Sequence, residues 1–138
     1  MHIESEQLGP LEISEDSVVS FPHGLPGFPQ AHQFCLVAVK PGSRFHLLQC
    51  THKANLAFVV ADPLQIDPHY PLDVVQEMAS QIGLEKDEPL AVVTIVTVPA
   101  PPKTPTVNML APIAMGIRSR LGIQVVLHDT DYQVRHAL

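Results

Sequence analysis

Fourteen prolines in 138 residues set the first limit on the fold. Each one fixes φ at about −65° and removes a backbone N–H, so elements stay short and turns stay rigid. The densest punctuation is FPHGLPGFP, residues 21–29. A phosphate-cradling loop would need G-x-G-x-x-G between a strand and a helix. Here Gly24 and Gly27 are separated by Leu25-Pro26 and no helical pattern follows. Pro26-Gly27 instead suits positions i+1 and i+2 of a type II turn, where glycine supplies positive φ. The stretch reads as a structural corner, with Pro22 entering it and Phe21 and Phe28 expected to pack beneath it.

The segments around this corner alternate with a period of two. PLEIS places Leu11 and Ile13 on one face and Glu12 on the other, as on a half-buried strand. SVVSF, QFCLVAV (33–39), FHLLQC (45–50) and LAFVVA (56–61) follow, separated by turn residues such as Pro41-Gly42. LAVVTIVTV (90–98) has the unbroken β-branched character of a strand buried on both faces. VNML, PIAMGIRS and GIQVVLHD also read as strands, the last two joined by a hairpin turn at Arg118–Gly122. Asp62-Pro63 is expected to end the LAFVVA strand. One segment differs: Leu72, Val75, Met78, Ala79 and Ile82 recur at helical spacing. Pro71 suits its first turn and Gly83 its C-terminal cap, which predicts a helix over about 71–82. PAPPKTPT (99–106) reads as a rigid extended connection. The pattern predicts one mainly β domain over 1–138, a compact antiparallel barrel-like fold with one short α-helix.

Composition narrows the function. Eight Lys and Arg against fourteen Asp and Glu give a net charge of −6, the wrong sign for a nucleic-acid footprint and a suitable one for a basic partner protein. Protonating the eight histidines would reverse that sign. Cys35 and Cys50 form no C-x-x-C, and MHIESEQLGP has no apolar signal core, so a reduced cytoplasmic protein is expected. The longest apolar run is half a membrane span, so no membrane partner is expected.

Catalytic patterns are missing. No G-x-S-x-G occurs, and Asp129 and Asp131 beside His128 and Tyr132 read as a solvated turn rather than an acid–base cluster. His46, His52, His128 and His136 lack the local spacing of metal ligands. Neither catalytic nor metal-binding residues are assigned, and no cofactor is expected. The residues favour a binding role; a small barrel holding a flavin-type ligand or a metal, with or without enzymatic activity, is the alternative.

Taken in order, LGPLEI, ISEDSVVSFPHGLPGF, LAFVVADP, LAVVTIVTV, NMLAPI and QVVLHDTDYQVRHAL resemble the FliW family of flagellar assembly factors over nearly the full length. The resemblance implies a protein without catalysis and a compact antiparallel β-barrel-like fold. It implies binding to CsrA, a small dimeric RNA-binding regulator that represses flagellin translation, and relief of that repression. It also implies binding to free flagellin, which releases CsrA. Within the matching motifs, Gly24, Pro26, Gly27 and Pro112 have backbone reasons to exist, and Phe21, Pro22, Leu25, Phe28 and Pro63 complete the structural set. Asp62, Asn108, Tyr132, Arg135 and His136 are the polar motif residues beside turns, and are the candidates for partner contact. For two of them a structural role is the competing expectation: Asn108 satisfying a turn, and Arg135 pairing with Asp131.

Overall fold

A computed structural model describes residues 1–138 throughout. Eleven strands and one α-helix run in the order β1 (His2–Ser5), β2 (Gly9–Glu12), β3 (Val18–Ser20), β4 (Gln33–Ala38), β5 (Phe45–Cys50), β6 (Ala57–Ala61), α1 (Leu72–Gln81), β7 (Leu90–Thr97), β8 (Thr106–Val107), β9 (Ile113–Gly116), β10 (Gly122–Gln124) and β11 (His136–Ala137). β1 and β2 form a separate hairpin. The others form an antiparallel sheet whose main path is β10-β9-β7-β6-β5-β4-β3.

That path curls until its ends approach. Ser20 on β3 bridges Leu121 beside β10, and the Ser20 N–H donates to the Arg120 carbonyl at 2.8 Å. The Arg120 guanidinium also donates to the Ser17 carbonyl at 2.8 Å. One bridge is not a ladder, so the sheet is barrel-like without closing.

β7 is the spine. Leu90–Val93 pair with β9, while Val96 and Thr97 pair with β8 on the same side. Its other side pairs with β6. Burial on both faces follows from two hydrophobic clusters. Val93 joins Phe21, Phe34, Leu48, Val60 and Ile113 inside the curl. Val96 joins Ala61, Val107, Ala114, Val75 and Ala79 on the opposite face, beneath α1 and the C-terminal segment. Burying each large apolar side chain contributes about 1.5–3 kcal/mol before ordering costs.

α1 closes with Leu84 N–H donating to the Ala79 carbonyl at 3.0 Å, across Gly83 at φ +133°. This is the geometry of a glycine-dependent C-terminal cap. Val75 and Ala79 face the core, whereas Ile82 is 47% exposed. The helix ends one residue before Ile82, which moves that side chain off the buried stripe.

The corner at residues 21–29 behaves as a turn. Leu25 and Phe28 bridge each other around Pro26-Gly27, with Gly27 at φ +85°, as type II geometry requires. Phe21 is fully buried and meets Phe34 edge-on at 5.5 Å. Phe28 does not pack beneath the turn: it is 41% exposed and leans on Phe58 at 5.7 Å. The turn reverses the chain, so Phe28 emerges toward the surface while Phe21 points in. Gly24 is required by proximity, because a Cβ there would lie 2.6 Å from the Phe28 carbonyl oxygen.

The final strands are shorter than their apolar runs. β8 stops at Val107, and β10 at Gln124. Beyond β10, Val125 donates to the Pro112 carbonyl and Leu127 to the Leu110 carbonyl. Proline and irregular backbone hold this stretch in place without a continuous ladder.

Candidate protein-interaction surfaces

The sequence candidates divide among three surface grooves. The largest, about 500 Å³, lies where the end of β7 meets β8, on the strand face that carries Val93, Ile95 and Thr97. Thr97 pairs with Thr106 across the two strands, while Val96 and Val107 point into the core. Ile95 and Asn108 complete the floor, the Pro99–Thr104 loop forms one wall, and Val134 and Arg135 form another. This groove therefore brings Asn108 and Arg135 together. The Asn108 side-chain oxygen accepts from Ala111 N–H at 3.1 Å, which satisfies the turn before Pro112. Arg135 does not pair with Asp131. The only ion pairs in the chain join Met1 and His2 to Glu4 and Glu12, and Arg135 extends from the tail into the groove.

Tyr132 and His136 line a second groove with Thr130 and Asp131. Asp129, at φ +53°, and the Thr130 hydroxyl, which accepts from Tyr132 N–H at 3.3 Å, shape the preceding turn. The Tyr132 hydroxyl donates to Asp67 Oδ2 at 2.5 Å. That bond, followed by the His69 backbone N–H, holds the Asp67 carboxyl below the usual carboxylate range. Reciprocally, the Asp67 carboxylate and then burial push the Tyr132 phenol up to about 12. Tyr132 also stacks at a tilt on Tyr70, 5.0 Å between ring centres. Burial pushes the Tyr70 phenol up as well, and its hydroxyl donates to the Met109 carbonyl at 2.7 Å. β11 completes the attachment by pairing His136 with Val107.

Asp62 stands apart. Its carboxylate caps a short 3-10 turn, accepting from Leu64 N–H at 2.9 Å, with Pro63 buried at the first position. It lines a mostly apolar groove of about 330 Å³ with His46, Leu36, Leu64, Leu72 and Leu90. The histidines are dispersed in the same way, and His52 bonds to Gln33 at 2.8 Å. No three His, Cys, Asp or Glu side chains converge as a metal-ligand set.

Two residues in this region escaped sequence reasoning. Lys103 lies in the proline-rich connection and lines the large groove. Asp67 sits in a segment of turn composition, and nothing in its spacing announces a partner 65 positions away.

The sequence and the fold match known proteins along the whole chain. The profile of the FliW protein family matches residues 2–138. The chain belongs to the FliW family. The flagellar assembly factor FliW of Desulfitobacterium hafniense (strain DSM 10664 / DCB-2) is 36% identical over 138 residues, covering 100% of this chain and 91% of the relative. The FliW of Syntrophomonas wolfei subsp. wolfei is 34% identical, covering 100% of this chain and 88% of the relative. A crystal structure of the flagellar assembly factor FliW superposes with a TM-score of 0.82 at 31% identity, covering 99% of this chain and 96% of that one. The barrel-like β architecture is thus that of the FliW family.

Proposed function

We propose that this chain is a flagellar assembly factor that acts by binding proteins rather than by catalysis. It antagonises a CsrA-like RNA-binding regulator, relieves repression of flagellin synthesis, and is itself sequestered by flagellin. The observation that carries this reading is the match to the FliW family over residues 2–138, with relatives named flagellar assembly factors.

Physical chemistry supports the mode of action. An RNA-binding regulator presents cationic surface to phosphates. A partner of net charge −6 is attracted to that surface and repels RNA approaching the same complex. The antagonist can therefore act without occupying the RNA site, by changing the regulator's affinity through field or shape. The three open grooves give it surface for more than one partner.

Titration calorimetry of the purified chain with its host's CsrA-like regulator, with and without flagellin, tests the reading. Saturable binding that flagellin abolishes is the expected result. Absence of binding to both proteins overturns it.

A further inference from the structure

We propose that the groove where the end of β7 meets β8 is a docking site for an extended, acidic segment of a partner protein. The inference begins with charge placement. Fourteen carboxylate side chains outnumber eight Lys and Arg in this chain. Yet the residues lining its largest groove include Lys103 and Arg135 and no Asp or Glu. Neither cation has an ion-pair partner, since every ion pair in the chain lies at the β1–β2 hairpin. Two free cations facing one groove in an acidic protein leave a local field opposite to that of the whole.

The remaining lining has the same polarity of hydrogen bonding. Thr97, Thr104 and Thr106 bring hydroxyls. Asn108 spends its oxygen on Ala111 N–H, so its amide hydrogens are what it offers the groove. Lysine, arginine and an amide committed in this way are donors, and carboxylates are acceptors with several lone pairs. Ile95 on the floor and Val134, 54% exposed on the wall, add apolar contact.

The shape selects the class of ligand. The cations come from different walls, and the hydroxyls are spread over two strands and a loop. A single phosphate is best held by donors converging on one point, whereas this layout suits several carboxylates along an extended chain with apolar residues between them. A nucleic acid would also present repeated anions, but its continuous run of phosphates needs a longer cationic track than Lys103 and Arg135 supply, whereas a short acidic segment fits between them. The groove thus gives the protein a second surface of opposite sign to the one expected to face a cationic regulator. It does not depend on that partner assignment.

The test uses the full chain, labelled with nitrogen-15 and titrated at low salt. The probe is a synthetic acetylated peptide of alternating glutamate and valine; the controls are its lysine counterpart and inorganic phosphate. Saturable shifts at Thr97, Thr106, Asn108 and Arg135 with the acidic peptide alone are expected. The double variant Lys103→Glu/Arg135→Glu should weaken that binding by about tenfold or more, and Lys103→Gln/Arg135→Gln by an intermediate factor. Both side chains are exposed and outside every ion pair, so the variants should retain the parent spectrum elsewhere. Absence of saturable shifts, shifts centred outside the groove, equal response to phosphate, or unchanged affinity in the charge-reversed variant would each overturn the proposal.

Discussion

The Tyr132 hydroxyl and the Asp67 carboxylate meet at 2.5 Å and tie the C-terminal segment to the loop before α1. The bond places neighbouring Arg135 and His136 against the sheet, because β11 begins only four residues later. Its pH window follows from the two shifts. Asp67 is depressed when folded, so its contribution is present above the ordinary carboxylate pKa and is lost as pH falls through the folded value. Tyr132 is raised to about 12, so its contribution is complete below the ordinary tyrosine pKa, near 10, and is lost as pH rises through the folded value. Tyr132→Phe should return the Asp67 titration toward the ordinary range and speed amide exchange over residues 133–138. Carbon-detected titration and hydrogen exchange read both. An unmoved Asp67 midpoint would remove the bond from this account.

Glu88 makes a different kind of anchor. It is fully buried, and its carboxylate accepts from the backbone N–H of Arg118 at 2.8 Å and from that of Ser119. Burial alone would raise its pKa, but the Ser119 and Arg118 donors outweigh it and hold the carboxyl low. Stability from Glu88 is therefore present above the ordinary glutamate pKa and lost as pH falls through the folded value. Glu88→Ala should cost about 2 kcal/mol or more, since two turn N–H groups lose a charged acceptor. Glu88→Gln keeps a neutral acceptor and should cost less, while flattening the acid limb of the stability curve. Urea unfolding at several pH values from acid to neutral reads both effects.

Two glycines should fail for different reasons. A Cβ on Gly122 would lie 2.5 Å from ring carbons of fully buried Phe21. Gly122→Ala should therefore overpack the inner cluster, at about 1–3 kcal/mol. Gly27 has open space around the same position but sits at φ +85°. Gly27→Ala should cost about 1 kcal/mol through backbone strain alone. Gly27→Asn should recover part of that loss, because asparagine tolerates positive φ, whereas Gly122→Asn should be worse than alanine. Thermal unfolding of the four variants gives the ranking.

Much of the fold was legible because it is locally written. β5 spans the predicted 45–50, and α1 lies within one residue of its expected limits at each end. Both depend on apolar periodicity and on nearby Pro or Gly. β1, β11 and the short 3-10 turns were not legible, since HIES and HA become strands only by pairing with Gly9–Glu12 and Thr106–Val107. Interaction surfaces were harder still. Asn108 and Arg135 were visible as polar motif residues, but the groove they share exists only once β11 returns to β8. Lys103 was hidden among prolines, and Asp67 among turn residues, because their partners arrive from distant sequence.

The two cysteines should stay unlinked even under oxidation. In the β4–β5 register, Phe34 faces Cys50 and Cys35 faces Gln49. Adjacent strand residues point to opposite faces, so Cys50 shares the inner cluster with Phe34 while Cys35 points away from it. Both thiols are buried, and burial, followed by the charge of Cys50, pushes the Cys35 thiol up. A thiol reagent should label neither quickly in the native state and both in denaturant. An intramolecular disulfide under mild oxidant would require the register to be wrong.

The last prediction concerns salt and acid in the proposed complex with a cationic regulator. Attraction driven by the −6 charge should weaken as salt shortens the Debye length, which is about 10 Å at 0.1 M. It should also weaken as pH falls through the histidine range, since eight imidazoles add positive charge. His2 is one of them, and its bonds to Glu4 and then Glu12 hold its pKa above the ordinary value. Lys103→Glu/Arg135→Glu should leave regulator affinity unchanged or raise it, because those cations oppose the attraction. Calorimetry across salt and pH separates field from contact: affinity constant in both would place the binding energy in apolar surface, beginning with the groove around Leu36, Leu64 and Leu72.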